Sequence, residues 1–153
     1  MTPEKRLEAA LNAYHTLAEA DGHDIYQIPD PVHITGKRGT DVVGRLLAPR
    51  ACDFGGCLAD GRAVHLDAKH CEQPRFAFSR LEGVQMKRLK AHAKAGGVAG
   101  VVVWIDTLGA WWLPVSAEGV VAGVTGKASW TPDDDGAVKL TGVRWLVKEV
   151  IGG

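Results

Sequence analysis

The sequence predicts an α/β fold in which helices flank a central mixed β-sheet. Three observations support this class. The run Val98–Ile105 is almost continuously apolar and rich in valine, which is typical of a strand buried on both faces. Asp60-Gly61 separates two strand-like runs and predicts a hairpin. Apolar residues at helical spacing occur before and between these strands, and 153 residues suit a single domain, 1–153.

The N-terminal segment predicts a helix from Pro3 to Ala20. Thr2 suits the N-cap and Pro3 the first helical position. An apolar stripe follows at helical spacing, and Asp21-Gly22 ends it. A strand is expected from His23 to Ile28, stopped by the prolines that follow. The segment Val32–Leu47 stays ambiguous between strand and loop because three glycines interrupt it.

The predicted hairpin joins Cys52–Leu58 to Arg62–Lys69. In its second strand, side chains alternate between the two faces of the sheet. Val64, Leu66 and Ala68 are expected to be buried on one face. Asp67 and Lys69 are expected together on the opposite face, which the pattern predicts to be open.

A second helix is predicted from Arg80 to Ala95. Ser79 and Glu82 have the spacing of a capping box, and Gly96-Gly97 supplies the stop. The strands Val98–Ile105 and Ala110–Val115 are expected to pair, and Val143–Ile151 is expected to form a closing helix.

Composition excludes several classes of protein. Hydrophobic residues make up 46% and charged residues 24%, which excludes a disordered chain. The longest apolar stretch, Ala95–Ile105, is far shorter than the roughly 20 residues that span a membrane. The N-terminus shows no secretory signal, and the three cysteines form no Cys-x-x-Cys motif. We therefore expect a cytoplasmic protein without a membrane segment.

Basic residues concentrate in the middle of an electrically neutral chain. There are 18 basic and 18 acidic residues in total. From Ile34 to Arg50, four basic residues stand against one acidic residue, and from Lys69 to Lys94 seven stand against two. Such a distribution suits a basic face for phosphates. Ordinary solvated surface charge explains it equally well.

Asp53, Asp67 and Lys69 carry the chemical signal of the sequence. Two carboxylates on neighbouring strands suit a hard divalent cation such as Mg²⁺, which retains waters and accepts a substrate phosphate. A lysine on the same strand face can orient an attacking water, so the set suits phosphodiester hydrolysis. An acid-x-Lys pattern alone is expected about once by chance at this composition, so a surface salt bridge is the simpler alternative.

The order of these motifs resembles the PD-(D/E)XK nucleases, and within them the RecU-type Holliday junction resolvases. The archaeal Hjc resolvases are close neighbours in this resemblance. It extends with gaps from about Leu7 to Leu113. The segments that carry it are Leu7–Asn12, Ile28–Ile34, Asp53, Leu66–Lys69, Arg75–Met86 and Gly96–Trp104. The resemblance implies a restriction-endonuclease-like core.

The resemblance also implies a role for each matching residue. Asp53 and Asp67, with the carbonyl of Ala68, would bind Mg²⁺ (or Mn²⁺), and Lys69 would be the catalytic lysine. Glu8 would reach the site from the first helix, and Gln85 would join it from the second. The basic residues expected to contact DNA are Lys37, Arg38, Arg45, Arg50, Arg75, Arg80, Lys87 and Arg88. The implied function is paired symmetric cleavage of four-way DNA junctions by a homodimer.

Two departures from the family pattern stand out. Asp67 replaces the usual glutamate, and Thr35–Cys52, which corresponds to the family's projecting stalk, is short. Three alternatives remain open at this point. The chain could be a restriction-type or repair nuclease acting on duplex DNA, a non-catalytic DNA-binding module of the same fold, or an interaction domain with an accidental Asp-x-Lys. Metal binding and junction-selective cutting discriminate among them.

Overall fold

A six-stranded mixed sheet forms the centre of the fold. The structure, a computed structural model, describes residues 2–3, 5–6, 9, 22–47, 52–81 and 83–140. The strands are β1 Asp24–Gln27, β2 Val32–Arg38, β3 Asp41–Leu46, β4 Phe54–Cys57, β5 Ala63–Cys71, β6 Phe76–Ala77, β7 Val98–Ile105, β8 Gly109–Pro114, β9 Ser129–Trp130 and β10 Val138–Leu140, with one complete helix, α1 Gly83–Lys94, in the described ranges. The sheet order is β1-β4-β5-β7-β8-β10. Only the β5–β7 pair within this sheet is parallel, so the predicted mixed sheet is confirmed.

Both faces of this sheet carry buried apolar residues. One cluster includes Phe54, Leu66 and Val102, and the opposite one includes Val101 and Leu89 of α1. Successive residues of β7 therefore enter different cores, as expected for a strand buried on both faces. Helix α1 covers the second face between β5 and β7, and its position decides what lies beside Asp67.

The described residues near the N-terminus support the predicted helix start. Pro3, Lys5, Arg6 and Ala9 are helical. The backbone N–H of Lys5 donates to Thr2 Oγ1 at 3.2 Å, so Thr2 is the N-cap. Most of the predicted helix 3–20 and the predicted closing helix 143–151 lie outside the described residues.

The predicted hairpin forms between β4 and β5. Leu58 N–H donates to the Arg62 carbonyl at 2.8 Å, and Gly61 N–H donates to the Leu58 carbonyl at 2.9 Å. Asp60 accepts hydrogen bonds from the backbone N–H of Arg62 at 3.0 Å and from its Nε at 2.8 Å. These bonds lower the pKa of the Asp60 carboxyl. The turn therefore closes on itself and fixes the register of β5.

The face of β5 that carries Asp67 is closed, whereas the sequence predicted an open face. Val64, Leu66 and Ala68 are buried on their face, as expected, but Asp67 is also fully buried (0% exposed). The reason is the parallel crossover. Helix α1 returns over this face to reach β7, and α1 packs on both β5 and β7.

The second helix begins three residues later than predicted. Phe78–Arg80 forms a short 3-10 turn, and Leu81 is extended (φ −80°, ψ 108°), so α1 begins at Gly83. The preceding residues are held elsewhere, because Phe76–Ala77 pairs with Ser129–Trp130. Of the predicted capping box, Glu82 lies outside the described residues.

The predicted C-terminal stop of α1 is confirmed. Gly96 has a positive φ of 93°, which glycine adopts without strain. Gly97 N–H donates to the His92 carbonyl and Gly96 N–H to the Ala93 carbonyl, at 3.0 and 3.1 Å. This is the Schellman arrangement, and it turns the chain into β7.

The ambiguous segment Val32–Leu47 forms a separate two-stranded ribbon. Strands β2 and β3 pair antiparallel and do not join the central sheet. Every residue of both strands is exposed. The ribbon includes much of Thr35–Cys52, the segment expected from the resemblance to be a short stalk.

No helix among the described residues is long and apolar enough to cross a membrane.

Candidate active site

The carboxylates of Asp53 and Asp67 each accept a hydrogen bond from the backbone of the other segment. Asp53 N–H donates to Asp67 Oδ1 at 3.1 Å, and Ala68 N–H donates to Asp53 Oδ2 at 2.7 Å. Asp53 is 7% exposed. The structure thus brings together the three residues predicted as ligands, and the charge-assisted hydrogen bonds fix the orientation of both carboxylates.

The hairpin register explains this meeting. Phe54 pairs with Leu66 in the antiparallel β4–β5 ladder, so Asp53, one residue earlier, lies beside Asp67. The carbonyl of Asp53 accepts a hydrogen bond from Ile28 N–H at 2.9 Å. The segment Ile28–Ile34, one of those that carry the resemblance, is thereby hydrogen-bonded directly to the site through its first residue.

Lys69 lies two residues after Asp67 on β5, opposite Val103 of β7. The strand alternation places both side chains on the α1 face of the sheet. Lys69 is half-buried, and it forms no ion pair with any residue in the described ranges. Its ammonium therefore retains donor capacity beside the carboxylates.

Gln85 approaches the same carboxylate from the helix. Its Nε2 donates to Asp67 Oδ1 over a long 3.5 Å, and the residue is 9% exposed. The expectation that its amide is partly buried is correct. Gln85 therefore lies against the buried Asp67 carboxylate, where we expect it to act as a positioning residue.

We expect Gln85→Leu, which keeps the volume and removes the amide, to weaken the binding of a divalent ion by about 10- to 100-fold. The measurement is the dissociation constant of Mn²⁺, determined by isothermal titration calorimetry. Val84→Ala, at an exposed neighbouring position on α1, is the matched control. An unchanged Mn²⁺ affinity in Gln85→Leu would show that the amide has no positioning role.

The donor set fits a hard cation in part. Within the described ranges, no group of three or more His, Cys, Asp or Glu side chains is arranged to hold a metal. Mg²⁺ needs only one or two carboxylates, because it completes its shell with waters and substrate phosphates. Each carboxylate has about four acceptor sites, and the backbone hydrogen bonds occupy only part of them.

The remaining predicted residues fall into three groups. Glu8 and Arg50 lie outside the described residues. Lys37, Arg38 and Arg45 are exposed on the ribbon, and Lys87 and Arg88 are exposed on α1. Arg75 and Arg80 make contacts within the protein. Arg75 Nε donates to Ser129 Oγ at 3.0 Å, and Arg80 Nη1 donates to the His70 carbonyl at 2.6 Å.

Sequence reasoning missed a histidine pair beside the site. The rings of His65 on β5 and His92 on α1 are in contact, with centroids 4.4 Å apart and planes inclined by 35°. Burial lowers the pKa of His92, which favours the neutral ring in this contact. The signal was present, because His65 is two strand positions before Asp67 and His92 is two helical turns after Gln85.

Comparison with known proteins relates this geometry to a family. No curated protein matches the sequence significantly. One solved structure that resembles the chain is that of Archaeoglobus fulgidus Hjc, described as a Holliday junction resolvase from an archaeal hyperthermophile. The likeness is 14% in sequence, covers 72% of this chain and 75% of that chain, and has a TM-score of 0.44. The family model of recombination protein U, RecU, matches residues 1–118. Those residues include Asp53, Asp67, Lys69 and Gln85, and the chain belongs to the RecU family.

Proposed function

We propose that this protein is a metal-dependent endonuclease that resolves four-way DNA junctions by paired, symmetric phosphodiester hydrolysis. The observation that carries the proposal is the interlocked carboxylate pair Asp53–Asp67, two residues from Lys69, in a chain of the RecU family. The resolvase description of the Hjc protein accords with this proposal and does not carry it.

Each residue of the site has a separate role in the proposed hydrolysis. Asp53 and Asp67, with the Ala68 carbonyl, would hold Mg²⁺ or Mn²⁺. A cation held by these residues would lower the pKa of a bound water and offset charge on the phosphoryl oxygens. Lys69 orients the attacking water and stabilises the negative charge that develops on the phosphate. Gln85 keeps the Asp67 carboxylate from rotating.

Resolution of a junction requires two incisions, so we propose a homodimer with one site per subunit. The exposed ribbon supplies a surface for it. The register places Val32, Ile34, Val42 and Leu46 on one face of β2–β3, and they are 48%, 57%, 57% and 66% exposed. A lone two-stranded ribbon is marginally stable in water. We infer that the ribbon of a second copy covers this apolar face.

The double variant Ile34→Lys/Leu46→Lys is expected to be monomeric, because each subunit would bring two charges into the apolar contact. Sedimentation equilibrium measures the mass, and far-UV circular dichroism checks the fold. The control is His33→Lys, since His33 and Ile34 point to opposite faces of β2. A dimeric double variant would refute this interface.

The ribbon also presents positive charge. Lys37 and Arg38 immediately precede the Gly39-Thr40 turn, and Arg45 lies opposite His33. Arg38 and Arg45 share the face opposite to Ile34 and Leu46, whereas Lys37, opposite Val42, lies at the turn end of the apolar face. We propose that these side chains contact the phosphates of the junction.

Incision mapping tests the proposed function. A four-way junction with a fixed branch point is labelled on each strand in turn and incubated with the protein and Mg²⁺. We expect symmetric incisions in two opposing strands, with nicks that DNA ligase reseals because hydrolysis leaves 5′-phosphate and 3′-hydroxyl ends. Cuts scattered along the arms would favour a duplex nuclease, and stable binding without cutting would favour a non-catalytic module.

A further inference from the structure

Three lysines form a stripe on the outer face of α1. Lys87, Lys90 and Lys94 follow each other at intervals of three and four residues, so they share one face of the helix. All three are exposed. None forms an ion pair with a residue of the described ranges. The helix sequence GVQMKRLKAHAK contains no acidic residue that could balance them.

The three lysines line a surface cleft. A cavity of about 430 Å³ lies between α1 and Ala117, and the three lysines line it together with the apolar Met86 and Ala91. The loop wall is fixed, because Gly119 N–H donates to the Ser116 carbonyl at 2.9 Å and Val120 N–H donates to Ser116 Oγ at 3.2 Å.

Gly119 lets this loop approach the helix closely. A Cβ placed on it would lie 3.2 Å from Lys90 Cδ, and its φ of +80° also favours glycine. The aliphatic stem of Lys90 therefore rests against the loop, and the residue lines the cleft.

We propose that this cleft binds the sugar-phosphate backbone of a duplex arm of DNA. The inference rests on the proposed function, and it extends the DNA contact from Lys87 to Lys90 and Lys94. Like charges at this spacing repel one another by a few tenths of a kcal/mol, and a polyanion relieves that repulsion.

The distribution of charge favours an extended anion. Seven residues of helix cover about 10 Å, whereas phosphates along one DNA strand recur every ~3.4 Å of helix axis. A small phosphate ion would need the three ammonium groups to converge, and the stripe spreads them along the helix. Such contacts carry no sequence information, so we expect this surface to bind junction arms and linear duplex alike.

The test is the salt dependence of junction binding, measured by fluorescence anisotropy in EDTA between about 50 and 200 mM salt. The variant Lys87→Gln/Lys90→Gln/Lys94→Gln is expected to lower the slope of log K against log salt by about 2.7, or 0.9 for each lost phosphate contact. The Lys→Arg triple variant keeps the charge and is expected to keep the slope. Lys127→Gln is the control, because Asp134 already engages that ammonium at 2.6 Å.

The outcomes separate this inference from the proposed function. If the glutamine variant has the same slope as the wild-type protein, and the wild-type protein binds and cleaves the junction, the cleft is not a DNA-binding site. The resolvase proposal would then still stand. Wild-type protein that binds no DNA overturns both. If the wild-type protein binds polyglutamate and the glutamine variant does not, while the DNA slope is unchanged, the cleft binds an acidic protein instead. Matched circular dichroism spectra confirm that each exposed substitution preserves the fold.

Discussion

Asp67→Asn is expected to lower junction cleavage by at least about a thousandfold. A cation held at this site would stabilise the transition state by several kcal/mol, and each ~1.4 kcal/mol changes the rate by a factor of ten. Asparagine has nearly the same volume, and its Oδ1 can still accept the N–H of Asp53. The substitution therefore removes the charge that holds the cation and preserves the local packing. The measurement is single-turnover cleavage of a labelled junction in saturating Mg²⁺.

Junction binding in EDTA is expected to survive in the same variant, because Asp67 is fully buried and has no exposed surface for a DNA contact. The free energy of unfolding should not fall either, since the substitution removes a buried charge that is costly to desolvate. Cleavage within tenfold of wild type would place the metal elsewhere. Loss of binding with the fold intact would show that Asp67 also organises the DNA surface.

Lys69→Met is expected to reduce the cleavage rate by about 10²- to 10³-fold, the usual cost of removing one group that stabilises negative charge in the transition state. Methionine keeps the aliphatic length of the half-buried side chain and removes only the ammonium. Because the carboxylates are untouched, the Mn²⁺ concentration for half-maximal activity should stay the same. The rate of the chemical step under single-turnover conditions is the quantity to measure.

Lys139→Met is the matched control for this loss of charge, since the Lys139 ammonium lies 5.3 Å from the centre of the Trp111 ring on β8. It is expected to cut junctions at the wild-type rate. A Lys69→Met variant that retains full rate would remove Lys69 from the mechanism. A parallel rise in its Mn²⁺ requirement would make it a residue that shapes the metal site.

Local sequence signals predicted the elements that depend on neighbouring residues. The valine-rich run gave β7 its observed limits, Val98–Ile105. Asp60-Gly61 placed the hairpin because its turn is closed by adjacent residues. Gly96-Gly97 placed the helix stop for the same reason. Each of these features is decided within a few positions of the chain.

Long-range pairing decided the features that were predicted wrongly or left open. The start of α1 depends on β6 pairing with β9, a segment far along the chain. The ambiguous ribbon became clear only through the cross-strand register of β2 with β3. Glycines within it weakened the alternation from which a strand is predicted.

The candidate site shows the same division. The spacing of Asp67 and Lys69 on one strand face followed from alternation along β5. The closure of that face by α1 did not, because it depends on the parallel return to β7. The hydrogen bond from Ala68 N–H to Asp53 joins two strands at atomic distance. The contact between His92 and His65 likewise depends on long-range packing, because it joins α1 to the sheet.

The most direct test of a metal-dependent junction resolvase compares two DNA substrates in one assay. Wild-type protein is incubated with a labelled four-way junction and with a linear duplex of matched sequence, each in Mg²⁺ and in EDTA. The account predicts paired nicks in the junction only, and only with Mg²⁺. Cutting in EDTA would contradict the role of Asp53 and Asp67 as metal ligands, and equal cutting of duplex and junction would contradict the resolvase function.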